Sequence, residues 1–201
     1  TAFNVKKVTI YNNNSLSASP NSANDGIYIR GKQTAINVQS GYNNVFDSTG
    51  NIALFTTTAA SWSAPVYTQD GTISINSTGA VTLSSPGYGL LSKAGTTTIT
   101  AGGALTIGVS SGTTTNGYLA VHMVGGNVTL SGNANSVIQK YTNTNGTGGA
   151  VYMGGGSLKF TNMRFLNNSA KLGGVFWQSA GTMTLTGATF TGNSSSSQGG
   201  A

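Results

Sequence analysis

Apolar and small polar residues alternate in short runs along this chain, and the runs return at a nearly regular distance. A phrase that opens on glycine reads Gly71-Thr-Ile-Ser-Ile75, Gly79-Ala-Val-Thr-Leu83, Gly95-Thr-Thr-Thr-Ile99 and Gly103-Ala-Leu-Thr-Ile107. It continues as Gly126-Asn-Val-Thr-Leu130, Gly156-Ser-Leu-Lys-Phe160 and Gly181-Thr-Met-Thr-Leu185. Gly71 to Gly95 and Gly79 to Gly103 are equal steps of about 24 residues, and the later steps, from Gly103 to Gly126, Gly156 and Gly181, are of similar size. Alternation with a period of two marks strands, and recurrence at this distance marks stacked repeats. Strands so short bury a face only by lying on their counterparts in the next repeat.

The expected fold is therefore all-β: a right-handed parallel β-helix, or β-solenoid, of roughly eight coils of about 24 residues. An antiparallel β-sandwich is the alternative. The regular repeats occupy residues 66–201. Residues 1–65 predict an irregular N-terminal β region continuous with them, so the whole is one domain. Its strands centre on Phe3–Val5, Val8–Ile10, Ile27–Ile29, Ala35–Val38 and Ile52–Phe55, separated by polar turns such as Asn12–Ser15 and Gly41–Asn44. Inward positions carry Val, Ile, Leu and Phe, outward ones Thr and Ser, and glycine supplies the positive φ at corners.

Composition narrows this further. Only 6% of residues are charged, against about 25% in average proteins, yet 37% are hydrophobic and regularly placed, which argues against disorder. Glycine interrupts every window that would make an amphipathic helix. The net charge is +6, from nine Lys and Arg against three Asp. Lys6, Lys7, Arg30 and Lys32 lie early and the rest are scattered, which is too sparse for a nucleic-acid surface. No apolar run is long enough to span a membrane. The chain opens at Thr1 without a leader, so a signal peptide is expected to have been removed. Asn-x-Ser/Thr sequons at Asn13, Asn76, Asn127, Asn145, Asn167 and Asn193 are candidate glycan sites in a secreted chain.

The C-terminal quarter carries a sharper signal. Gly148-Gly149-Ala150-Val151 precedes Phe165-Leu-Asn-Asn168, Gly173-Gly174-Val175-Phe176 precedes Phe190-Thr-Gly-Asn193, and the chain stops at Gly199-Gly200-Ala201. Residues 148–201 thereby resemble the paired Gly-Gly-Ala-aliphatic and Phe-x-x-Asn tetrapeptides of the chlamydial polymorphic outer membrane protein family, with Val175 standing where that motif has Ala. Phe165 to Phe190 and Asn168 to Asn193 are steps of the same length, one coil, which suggests a Phe stack inside and an Asn stack at the following turn. The resemblance implies a secreted β-helical passenger with adhesive or surface roles, carried in that family by a C-terminal membrane barrel.

Candidate chemistry is sparse. Asp25, Asp47 and Asp70 are almost evenly spaced, each step close to one coil, and would align on one face as a carboxylate pair for sugar cleavage requires. Each also sits in a turn context that Asp favours by local hydrogen bonding, and this is the reading preferred. His122, the only histidine, lies in an alternating stretch and reads as a half-buried strand residue, without the partners of a hydrolase triad or a zinc site. Gly102-Gly103 and Gly154-Gly155-Gly156 lack the lysine and helix of a phosphate loop. Trp62 and Trp177 are expected in the core or an end cap rather than against a sugar. No catalytic residue, cofactor or metal is predicted.

The leading expectation is an extracellular, cell-surface, non-enzymatic structural or adhesive β-solenoid that associates with itself end to end into a filament. A host or environmental surface, or a glycan, is the other partner class. The alternatives are an autotransporter-like adhesin passenger fragment and, below it, a β-helical polysaccharide-acting enzyme. Binding to ice or a crystal surface ranks lower, since it needs Thr in regular rows on a flat face.

Overall fold

The computed structural model of the chain describes residues 7–12, 25–31, 34–38, 40–109, 114 and 116–199. Among these every regular element is a β-strand, and strands pair in parallel with their counterparts one turn away. The first sheet face holds Lys7–Asn12, Asn43–Ser48, Thr72–Ser77, Thr96–Ala101, Asn127–Ser131, Ser157–Thr161 and Thr182–Thr186. The second holds Asp25–Gly31, Asn51–Thr56, Val81–Ser84, Leu105–Ile107, Val137–Gln139, Arg164–Leu166 and Thr189–Thr191. The third holds Thr34–Val38, Ala64–Thr68, Leu90–Ser92, Val121–Met123, Val151–Met153 and Phe176–Gln178. In the later turns a narrow strip of Thr142–Thr147, Ser169–Leu172 and Ser194–Gln198 intervenes, in chain order, between the second and third faces.

The result is a β-solenoid of about six turns. Lys7, Asn43, Thr72, Thr96, Asn127, Ser157 and Thr182 occupy equivalent first-face positions. The turn from Thr72 to Thr96 is the shortest of these and the one from Lys7 to Asn43 the longest. The expected count of eight took the shortest turn as the rule, and it is too high. The extra residues lie in connections such as 57–63 and in the narrow strip. Stacking constrains the faces and leaves the connections free to grow.

Alternation within the strands builds the core. Phe46, Ile75, Ile99, Leu130 and Phe160 form one buried inward column on the first face, and Asn44, Ile73, Thr97, Val128 and Leu158 form the next. Two pairs of interior hydroxyls bond to each other, Thr68 Oγ1 with Thr97 Oγ1 at 2.6 Å and Thr56 Oγ1 donating to Ser85 Oγ at 2.7 Å, while Ser63, Ser77 and Ser92 donate to backbone carbonyls.

The recurring glycine has a structural cause at the corner where the third face gives way to the first. Gly71, Gly95, Gly126, Gly156 and Gly181 occupy it with φ of 124°, 78°, 84°, 82° and 86°. A Cβ on Gly126 would lie 2.6 Å from the Gly95 carbonyl oxygen, which accepts the Asn127 N–H at 2.8 Å. Thr96, Ser157 and Thr182 donate likewise to Gly71, Gly126 and Gly156 at 2.7, 2.9 and 2.9 Å. Positive φ and close approach of the neighbouring turn together leave glycine as the residue that fits.

Candidate functional site

The residues of the C-terminal repeat motif fall on scaffold positions. Gly148, Gly173 and Gly199 share one corner with φ of 73°, 62° and 68°. Gly149 N–H donates to Gly173 O and Gly174 N–H to Gly199 O, both at 2.9 Å. Ala150 and Val175 are both fully buried, and Ala150 N–H donates to Val175 O at 2.9 Å. Phe165 and Phe190 stack with ring centroids 5.2 Å apart and planes 8° apart. Buried Asn168 donates from Nδ2 to Asn193 Oδ1 at 3.0 Å, and Asn193 Nδ2 donates to Phe165 O at 2.8 Å. Gly200 lies outside the described residues.

The three Asp residues do not share a register position. Asp25 starts a second-face strand, Asp47 lies in the first face where its Oδ1 accepts from Asn76 Nδ2 at 2.8 Å, and Asp70 sits in a bend between the third and first faces. Their even steps in sequence are shorter than the two turns in which they lie, Lys7 to Asn43 and Asn43 to Thr72. Among the described residues no three His, Cys, Asp or Glu side chains gather as metal ligands, and no helix is long and apolar enough to cross a membrane. Of the sequons, Asn127, Asn145 and Asn167 are exposed, the amides of Asn76 and Asn193 are engaged in the bonds above, and Asn13 lies outside the described residues.

What the stacking does gather is aromatic. Asn37, Tyr67, Leu91, His122, Tyr152 and Trp177 form one register column on the third face. Their strand neighbours Val66, Leu90, Val121 and Val151 point into the core, so this column faces outward. Trp62 comes from the connection before the third-face strand Ala64–Thr68. Its ring stacks on Tyr67 at 5.9 Å and on His122 at 6.4 Å. Since Leu91 lies between those two in the column, the indole spans it, and Leu91 is only 1% exposed although it points away from the core. Tyr88 meets Tyr118 edge-on at 4.9 Å and His122 at 5.1 Å, and His122 meets Tyr152 at 5.2 Å. Both tryptophans thus lie outside the core, Trp62 in a connection and Trp177 on the last third-face strand, while His122 is the half-buried strand residue expected.

Trp62 is held there at a cost. It is the third residue of a turn closed by Ser63 N–H on Ala60 O at 3.0 Å, and its φ is 63°. Left-handed backbone in a bulky residue is a sparsely populated state costing about 1–3 kcal/mol. The side chain so placed is 50% exposed.

Beside this cluster a groove of about 530 Å3 is lined by Tyr88, Gly117, Leu119, His122, Val124, Asn143, Thr147, Tyr152 and Gly154. The lining holds no carboxylate, lysine or arginine. Burial among the rings lowers the His122 pKa below 6.5 and keeps the imidazole neutral, with Nδ1 buried and without a hydrogen-bond partner among the described residues. Burial, and then the nearby Tyr118, raise the Tyr88 phenol. The arrangement offers ring faces and neutral polar atoms to a ligand. Trp62, Tyr88, His122 and Tyr152 come from four different turns; the trace they leave in the sequence is a strand triplet with an aromatic middle residue, as in Val66-Tyr67-Thr68, Val121-His122-Met123 and Val151-Tyr152-Met153. No protein-family model, no curated protein and no solved structure matches this chain.

Proposed function

We propose that this chain is an extracellular, non-enzymatic, structural and adhesive β-solenoid that binds surfaces or glycans through the outward columns of its faces. The observation that carries the reading is the register of those columns. On the first face Thr72, Thr96, Asn127, Ser157 and Thr182 form one, and Ser74, Thr98, Thr129, Lys159 and Thr184 the next. The aromatic column lies on the third. Repeated contacts of this kind along a rod add as avidity. Separation of the three Asp supports the non-enzymatic part, and the likeness of residues 148–201 to surface passengers supports the location. Labelled chain incubated with insoluble polysaccharides should be retained without releasing soluble sugar; release of sugar, or no retention on any surface offered, would contradict the reading.

End-to-end self-association is the second reading, favoured by one specific observation. In the turn that holds Thr182–Thr186 and Thr189–Thr191, the core-side residues Leu185 and Phe190 are each 40% exposed. A second copy laid on this edge would extend the Phe stack and the ladder of hydrogen bonds. Sedimentation velocity should show concentration-dependent elongated species that Leu185→Asp and Phe190→Asp abolish. A single monomeric boundary at all concentrations would dismiss it.

A further inference from the structure

We infer that the groove over His122 and Tyr152, with the Trp62 platform beside it, is a binding site for a neutral oligosaccharide. This deepens the adhesive reading and rests on it, naming the ligand class and the residues.

Three independent observations converge on that class. The first is charge. No acidic or basic side chain lines the groove and the imidazole is held neutral, so neither an anionic nor a cationic ligand meets a counter-charge there. The second is the mixture of surfaces. Tyr88, Tyr152 and Leu119 are broad and apolar, while Asn143, Thr147 and the tyrosine hydroxyls are neutral hydrogen-bonding groups. Asn143 donates through Nδ2 to Thr147 O at 3.2 Å and Gly148 O at 3.3 Å, so the amide is fixed, and among the described residues no donor reaches its Oδ1. A sugar ring has the matching character: an apolar C–H face to lay on a π-face, and hydroxyls around its rim for fixed polar atoms. The third is extent. Small-molecule sites run from about 300 to 1,000 Å3, and 530 Å3 lies in that range. Beyond the groove the platform continues along the column through Trp62 and Tyr67. A linear chain of sugars laid parallel to the solenoid axis meets ring after ring, turn by turn.

The strained backbone of Trp62 fits the same account. Glycine or asparagine is the ordinary occupant of that left-handed position. The bulky ring instead spans Leu91 and presents half its surface to solvent.

The test uses Trp62→Gly and Tyr152→Ala. Glycine adopts the positive φ without strain, so the first variant keeps the turn and removes only the ring. Calorimetric titrations would use cellohexaose, xylohexaose and maltohexaose, with hexagalacturonate and tetramethylammonium as charged controls. At least one neutral hexasaccharide should bind saturably, and each variant should bind it about tenfold more weakly with its unfolding midpoint kept. Absence of binding by every neutral sugar at millimolar concentration, equal binding by wild type and both variants, or binding of only the charged controls would each overturn the site. A parallel arm measures retention on polysaccharide-coated beads. If the wild type is retained and both variants are retained equally, the site fails while the adhesive reading stands. If the wild type is not retained at all, the adhesive reading itself fails.

Discussion

At the scale of single residues, the fold is decided by what each position leaves no room for. The corner glycines are the clearest case. Gly126 combines φ of 84° with a Gly95 carbonyl oxygen 2.6 Å from where a Cβ would stand. Gly126→Ala should therefore cost about 1–3 kcal/mol or more in chemical denaturation; an unchanged midpoint would mean that the corner can open. Tyr141 shows the opposite sign. It is fully buried and its hydroxyl has no partner among the described residues, and burial raises its pKa far above the ordinary phenol range. A buried hydroxyl without a hydrogen bond is a net cost. Tyr141→Phe should leave stability unchanged or raise it by about 1 kcal/mol, and a loss of stability would reveal a partner for the hydroxyl.

At the scale of elements, columns of like residues tie one turn to the next. Asn168 is the node of one. Its Oδ1 accepts Tyr141 N–H at 3.2 Å, its Nδ2 donates to Ile138 O at 3.2 Å, and Asn193 Oδ1 takes its backbone N–H at 3.0 Å. Asn168→Ala leaves buried backbone groups unsatisfied and should cost about 1–3 kcal/mol by denaturant melts. The aromatic column makes stability depend on pH. His122 is surrounded by the rings of Trp62, Tyr88 and Tyr152, and desolvation lowers its pKa in the folded state from the ordinary 6.5. The unfolded chain then binds the proton more readily than the folded one. Stability from this group is complete above pH 6.5 and declines as the pH falls below it, until the folded imidazole itself protonates. His122→Phe should flatten this part of the profile in thermal melts at several pH values. Equal slopes in both proteins would show that the imidazole is solvated after all.

At the scale of the whole molecule, features set by local pattern are legible in the sequence and features set by stacking are not. Val8–Ile10, Ile27–Ile29, Ala35–Val38 and Ile52–Phe55 all lie inside strands of the structure, because alternation and glycine punctuation act over short stretches of chain. The number of turns was overestimated, since loops such as 57–63 lengthen the repeat without touching a face. The alignment of Asp25, Asp47 and Asp70 failed for the same reason: equal spacing in sequence is not equal position when turns differ in length. The aromatic site was missed because Trp62, Tyr88, His122 and Tyr152 become neighbours only once the turns are stacked, and because the left-handed backbone at Trp62 has no sequence signature.

The proposed adhesion runs through the neutral aromatic column of the third face, not through the net charge of +6. The most direct measurement is retention of the intact chain on insoluble neutral polysaccharide over a salt series. Retention that stays level up to about 1 M salt, where charge–charge attraction is screened within a few ångströms, is the result predicted. Retention that falls away steeply with salt, or appears only on acidic surfaces, would contradict it.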